Sequence, residues 1–102
     1  LDVVRHFYDA LMQGDGSAAS SFVIGEKRER GPLSARQLTE FYSGLSSPIT
    51  LKDASESDNG TVSVKYKYEA ANGHLCNGSA DVYLVVRNTA PLIARIDSHG
   101  GC

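Results

Sequence analysis

The apolar positions at the start of the chain recur every three or four residues, namely at Val3, Val4, Phe7, Tyr8 and Leu11. This spacing predicts an amphipathic helix over about residues 2–13, with polar side chains on its opposite face. Gly14 is expected to end that helix. Asp15 is a suitable N-cap for a second, shorter helix that continues through Val23.

A third helix is predicted after a charged loop, which runs from Gly25 to Pro32 and is expected to lie in solvent. Ser34 is placed to cap this helix, and Pro48 marks its end. Its apolar stripe consists of Leu38, Phe41, Tyr42 and Leu45.

From Ile49 onward the pattern changes to strict alternation, which is typical of half-buried antiparallel strands. The clearest apolar series are Val62, Val64, Tyr66 and Tyr68, then Gly78, Ala80, Val82, Leu84 and Val86, and finally Leu92, Ala94 and Ile96. Turns at Asn59-Gly60, Asn72-Gly73 and Asn88–Pro91 join the strands into a meander. The predicted fold class is therefore α+β, with N-terminal helices packed on a curved antiparallel sheet.

The turns also predict which residues face each other, since a slip of one residue exchanges the two faces of a strand. A two-residue turn at Asn59-Gly60 places Tyr66 near Asp53. A three-residue loop that ends with Gly73 in the left-handed conformation keeps Tyr66 on the same face as Gly78, and Tyr68 on the same face as Cys76.

The two cysteines become informative through the last hairpin. If Val86 pairs with Leu92, Cys76 lies opposite Cys102, at a separation that a disulfide can span. The closed loop of about 25 residues would contribute roughly 3 kcal/mol, and a disulfide indicates an oxidising compartment, periplasmic or extracellular.

Two alternatives remain open for these thiols. They could both be unpaired, or they could form a zinc site with the nearby imidazoles, the four candidate ligands being His74, Cys76, His99 and Cys102. Alternation directs His99 to the face opposite Cys102, so no metal site is predicted.

Tyr66 and Tyr68 are the candidate pocket residues, because two phenols on an inward face need hydrogen-bond partners. With Asp53 across from Tyr66, apolar walls would raise the carboxyl pKa and create an acid/base pocket. The alternative is that both tyrosines cap the rim of the core and that Asp53 is exposed.

Length and charge exclude several classes of protein. The chain has 102 residues, which is one domain over 1–102, and its formal charge is −2. A nucleic-acid-binding protein is not expected at that charge. No apolar run approaches the roughly 20 residues of a membrane span. No nucleophile motif, phosphate loop or cofactor motif is present.

Two segments resemble the nuclear-transport-factor-2-like superfamily. The opening helix and its Gly-Asp turn are similar to Val3–Asp15, VVRHFYDALMQGD, and the third helix of that fold is similar to Leu38–Tyr42, LTEFY. The order of elements agrees over nearly the whole chain. The resemblance implies a cone-shaped α+β barrel with a pocket at its open end, although the first strand usual in this fold is not visible between Ile24 and Leu33.

The catalytic pair of the ketosteroid-isomerase-like members does not carry over. Their oxyanion-binding tyrosine corresponds to Phe7 here, with Tyr8 displaced by one residue. Their aspartate base, which precedes the third helix, has no counterpart, because that loop offers only Glu26 and Glu29.

The expected function is thus an exported, non-catalytic module that binds an apolar small molecule or a partner protein without a cofactor. Its predicted ligand-binding residues are Tyr8, Asp53, Tyr66 and Tyr68. One alternative is an acid/base enzyme of the isomerase, cyclase or dehydratase type that uses Tyr66 with Asp53 or Tyr8. Another alternative is a scaffold domain of an envelope assembly. The resemblance also implies a homodimer formed through the sheet.

Overall fold

The computed structural model describes residues 2–44, 47–57, 60–70 and 72–99, with the backbone alone for Ser47. Within them, helices precede strands along the chain, which confirms the α+β prediction. The elements in order are α1 (Asp2–Met12), α2 (Gly16–Ser20), a one-turn 3-10 helix (Gly25–Lys27), α3 (Ala35–Ser43), β1 (Ser47–Glu56), β2 (Thr61–Glu69), β3 (Leu75–Arg87) and β4 (Ala90–His99).

The helix ends follow the predicted capping chemistry. Gly14 ends α1 with a φ of 69°. The Asp15 carboxylate accepts a hydrogen bond of 3.0 Å from the Ala18 amide, and the Ser34 hydroxyl accepts one of 3.3 Å from the Gln37 amide. None of the described helices has the length and apolar character needed to cross a membrane.

Two helix boundaries were predicted wrongly. The second helix was expected to reach Val23, but it ends at Ser20, and Val23 instead forms a parallel bridge to Ile93 of β4. Pro48 does not end α3, because it already lies within β1. Leu45, the last predicted position of the α3 stripe, lies outside the described residues.

The four strands form one antiparallel sheet in the order β1-β2-β3-β4. The central hairpin has the predicted register, with Tyr66 opposite Gly78 and Tyr68 opposite Cys76. Gly73 has the expected left-handed conformation, with a φ of 86°. The register predicted from a three-residue loop is therefore confirmed. A loop with an odd number of residues, with Gly73 in this conformation, keeps both tyrosines on the helix side of the sheet.

The first hairpin is one residue away from its predicted register. The Ser57 amide bonds to the Thr61 carbonyl, so the connection is longer than two residues, and Gly60 takes the left-handed position with a φ of 79°. This shift places Asp53 opposite Lys65, and an extra residue at Lys52 then places Leu51, rather than Asp53, opposite Tyr66. Asn59 is outside the described residues.

The last hairpin contains two offsets that cancel. Asn88 and Thr89 both have positive φ and form a tight turn, so Val86 lies opposite Pro91 instead of Leu92. A bulge at Ala94 then shifts the register back by one residue. Bulges of this kind bend the strand and redirect its side chains.

The charged loop before α3 is exposed at seven of its eight residues, as predicted, and its start is also attached to β4. Backbone hydrogen bonds join Ile24 and Phe22 to Ile93 at 2.9 and 2.8 Å. The Lys27 ammonium donates to the Ala94 carbonyl at 2.6 Å, and thus satisfies an acceptor at the bulge. Glu26 and Arg87 form a two-pronged ion pair whose hydrogen bonds lower the pKa of Glu26 to about 2.

The core lies between α1 and the helix-facing, inner face of the sheet. The fully buried side chains at its centre are Val4, Phe7, Leu11, Val23, Ile49, Val62, Val64, Val82 and Ile93. β-branched residues dominate the strands and fit the pleated surface of the sheet. Burial of such apolar surface provides most of the stability of a domain of this size.

The substitution Gly16→Ala tests the close packing of α2 on α3. The Gly16 amide donates to the Thr39 hydroxyl at 3.1 Å, and a Cβ at this position would overlap the backbone of Ala35 and Thr39. We expect the free energy of unfolding in a urea titration to fall by about 1–3 kcal/mol. The control is Gly25→Ala, because no atom lies within 4 Å of that Cβ position. Equal effects of the two substitutions would contradict the packing.

Candidate functional site: an aromatic cavity

A cavity of about 580 Å³ lies between the helices and the sheet, within the usual size range of small-molecule sites. Its walls come from α1, the loop before α3, α3, β2 and β4. The side chains that form the apolar part of the wall are Phe7, Tyr8, Pro32, Leu33, Leu38, Phe41, Tyr42, Tyr66 and Ile96. The cavity is thus mainly apolar, with several phenol groups.

Three tyrosines form a stacked row beside this cavity. The ring centres of Tyr8 and Tyr66 are 6.2 Å apart with an angle of 22° between planes, and those of Tyr66 and Tyr68 are 6.2 Å apart with an angle of 23°. Phe41 of α3 contacts Tyr68 edge to face at 6.2 Å and is 53% exposed. The row joins α1 to the sheet and to α3.

The position of Tyr66 depends on the glycine opposite it. A Cβ built on Gly78 would lie 2.7 Å from Cε1 of Tyr66, so the ring occupies the space that any other residue would fill. An aromatic ring that covers a cross-strand glycine stabilises the pair of strands and protects the glycine backbone. Gly78 is therefore part of the site although it offers no side chain.

Burial keeps the phenol hydroxyls of Tyr8 and Tyr42 protonated at neutral pH. Burial raises the pKa of Tyr42 to about 12, and the neighbouring Tyr66 and Tyr68 raise it further. Burial also raises the pKa of Tyr8 far above its ordinary value. Within the described residues, these hydroxyls form no hydrogen bond. Every fully buried side-chain oxygen or nitrogen among those residues has a hydrogen-bond partner, so the hydroxyls are not fully buried. Tyr8 and Tyr42 therefore offer the cavity neutral hydrogen-bond donors.

Among the described residues, the charged ones that line the cavity are Lys27, Arg30 and Arg95, and no carboxylate lines it. Arg95 is engaged elsewhere, by Asp97 at 3.2 Å and by the ring of Tyr83, whose centre is 4.3 Å away. Lys27 is bonded only to the neutral Ala94 carbonyl among the described residues. Two of the three lining cations, Lys27 and Arg30, therefore have no ion-pair partner within the described part of the chain.

The structure brings together three of the four predicted ligand-binding residues. Tyr8 and Tyr66 line the cavity, and Tyr68 extends their row. Asp53 does not line the cavity; it is exposed and lies opposite Lys65 because of the one-residue shift in the first hairpin. It borders a shallower depression with Lys52, Lys65 and one edge of Tyr66.

Several lining residues were not recognised from the sequence as site residues. Phe41 and Tyr42 were interpreted as part of a helical core stripe, and their aromatic character was the available signal. Lys27 and Arg30 belonged to a loop that was expected to be solvated. No local pattern indicates that this loop folds onto β4, because its attachment depends on a bulge far along the chain.

The alternative zinc ligands are separated by the sheet. His99 lies on the outer face, where its Nε2 is 2.8 Å from an oxygen of Asp81, while Cys76 is buried on the inner face at 1% exposure. His74 is exposed. Among the described residues, no group of three His, Cys, Asp or Glu side chains is arranged to hold a metal ion. Cys102 lies outside the described residues.

Comparison with known proteins leaves the geometry as the basis for assigning a function. No protein-family model matches this chain, and no curated protein sequence matches it.

The pair Tyr66 and Gly78 can be tested by a double-mutant cycle. We expect Gly78→Ala to lower the free energy of unfolding by about 1 kcal/mol or more, because the new methyl group displaces the Tyr66 ring. In a Tyr66→Ala background the same substitution should be neutral or stabilising, because alanine loses less backbone entropy than glycine. Urea unfolding of the four proteins measures both effects. The same loss in both backgrounds would contradict the ring contact.

Proposed function

We propose that this chain is a non-catalytic binding module of the nuclear-transport-factor-2-like type that holds an apolar small molecule in the aromatic cavity. The observation that carries the proposal is the cavity itself, which is about 580 Å³ and has a mainly apolar wall. The order of helices and strands supports the superfamily assignment and the curved, cone-like arrangement that it implies. Two bulges in β1 and one in β4 support curvature, because bulges bend strands.

The polar side chains that line the cavity favour ligand binding over acid/base catalysis. A general base needs a group that accepts a proton near neutral pH and lies within reach of the substrate. In the part of the chain that the structure describes, no carboxylate or imidazole lines the cavity, and Tyr8 and Tyr42 have pKa values well above neutrality. Asp53, the base of the enzymatic alternative, lies outside the cavity.

The uncharged fluorophore N-phenyl-1-naphthylamine tests whether the cavity binds apolar molecules. We expect saturable binding with one site per chain and increased emission, because the probe leaves water for an apolar wall. Leu33→Trp should weaken binding about tenfold or more, since the larger side chain fills part of the cavity. Val86→Trp is the matched control, because Val86 is 73% exposed and does not line the cavity.

Absence of saturable binding would overturn the proposed function. Binding that Leu33→Trp and Val86→Trp weaken equally would place the probe elsewhere on the surface. Circular dichroism of both variants establishes that they are folded before the titrations are compared.

We also propose that the chain functions in the periplasm or outside the cell, with a disulfide between Cys76 and Cys102. Support comes from the register of the described part of the last hairpin, where Ser79 lies opposite His99 and Val82 opposite Ile96. The same register, continued by three residues from Ser79, would bring Cys102 opposite Cys76. Oxidising compartments are where such bonds persist. Pairing of two copies through the sheet remains a prediction.

The disulfide is tested by mass spectrometry of protein purified from an oxidising compartment. Without reductant, we expect no alkylation of the denatured chain, and reduction should add the mass of two hydrogens. Reduction should lower the free energy of unfolding by about 2–4 kcal/mol, because the unfolded chain loses a cross-link. Two alkylated thiols in the unreduced protein would contradict the bond.

A further inference from the structure

The charges around the aromatic cavity specify the kind of molecule that fits it. We propose that the ligand is an amphipathic anion, an apolar aromatic or aliphatic body that ends in one negatively charged group held by Lys27 and Arg30. This inference rests on the proposed function and adds the ligand's chemical class.

The signs of the lining charges are the first observation. Three of the charged residues that the structure describes line the cavity and all three are cationic, although acidic residues outnumber Lys and Arg by twelve to ten in the whole chain. The other polar groups of the wall include the phenols, which are neutral hydrogen-bond donors. A wall of donors and cations without a carboxylate is complementary to an anion.

The availability of these charges is the second observation. Glu26, the acidic neighbour of Lys27, is turned to Arg87 and forms a two-pronged pair with its guanidinium. Lys27 uses one of its three N–H donors on the Ala94 carbonyl, so two donors remain. Arg30 is exposed and has no ion-pair partner among the described residues.

The loop that carries these cations is held in place, which limits the entropic cost of binding. Nε of Arg28 donates to the Val23 carbonyl at 2.7 Å, and its Nη2 donates to the Ser21 carbonyl at 3.0 Å. The Ala35 amide donates to the Arg28 carbonyl at 3.2 Å. The Lys27 ammonium, which is held at the Ala94 carbonyl, therefore binds an anion with less loss of side-chain freedom than a mobile cation would.

Two fluorophores that differ by one sulfonate test the inference. They are N-phenyl-1-naphthylamine, which is uncharged, and 8-anilinonaphthalene-1-sulfonate, which is its anionic counterpart. We expect the sulfonate to bind at least fivefold more tightly at low ionic strength, and this preference should decrease as salt is added.

Arg30→Glu and Lys27→Met assign the preference to the named residues. Each should reduce the ratio of sulfonate affinity to uncharged-probe affinity roughly five- to tenfold, because the ratio isolates the charge contribution from any change in the cavity wall. Arg30→Glu keeps the test independent of folding, because Arg30 is exposed and its side chain forms no hydrogen bond or ion pair with the described residues. Lys67→Glu is the control, since Lys67 is exposed on the outer face of β2, opposite Asn77.

The outcomes separate this inference from the proposed function. Equal binding of the two probes, or equal effects of Arg30→Glu and Lys67→Glu, would overturn the anion preference while the apolar binding site stands. Failure of both probes to bind would overturn the proposed function itself.

Discussion

The ring of Tyr66 against the backbone of Gly78 is the contact on which the site depends. The missing Cβ at Gly78 makes room for the ring, and the ring then supports Tyr8 on one side and Tyr68 on the other. Tyr8 fixes α1 and Tyr68 contacts Phe41 of α3, so the same row positions three walls of the cavity. The β2–β3 register is a precondition, because a slip of one residue would place the ring on the outer face.

Alternation and turn chemistry together predicted the elements and the central register, but they could not predict the bulges. An alternating pattern predicts the face on which a residue lies only where the two strands pair residue for residue, without a bulge. In β1 an extra residue at Lys52 separates Asp53 from Leu51, and in β4 an extra residue at Ala94 buries Ile93 in place of its neighbours. Such residues have no distinctive local sequence, since the advantage of a bulge comes from what packs against the bent strand.

The candidate site was predictable where its residues lie on regular elements. The positions of Tyr8 and Tyr66 follow from helical and strand periodicity. Lys27 could not be predicted, because its partner is the Ala94 carbonyl, sixty-seven residues later, and that acceptor is exposed to it by the bulge. Asp53 was misplaced for a related reason: the first hairpin has a longer loop than its Asn-Gly pair suggested.

A cavity in a domain of 102 residues has a thermodynamic consequence. Aromatic and aliphatic side chains that could have collapsed on one another are held apart, so their mutual packing energy is lost. Three contacts, called clamps here, hold the segment before α3 in place beside the cavity: the bridge from Val23 to Ile93, the Lys27 bond to Ala94 and the pair of Glu26 with Arg87. All three clamps connect the charged loop, or the residues just before it, to the last hairpin.

A ligand that fills the cavity adds its own binding energy to the folded state alone. An anion bound at Lys27 would also lie beside the clamp to Ala94, so ligand binding and the closure of the loop on β4 would stabilise each other.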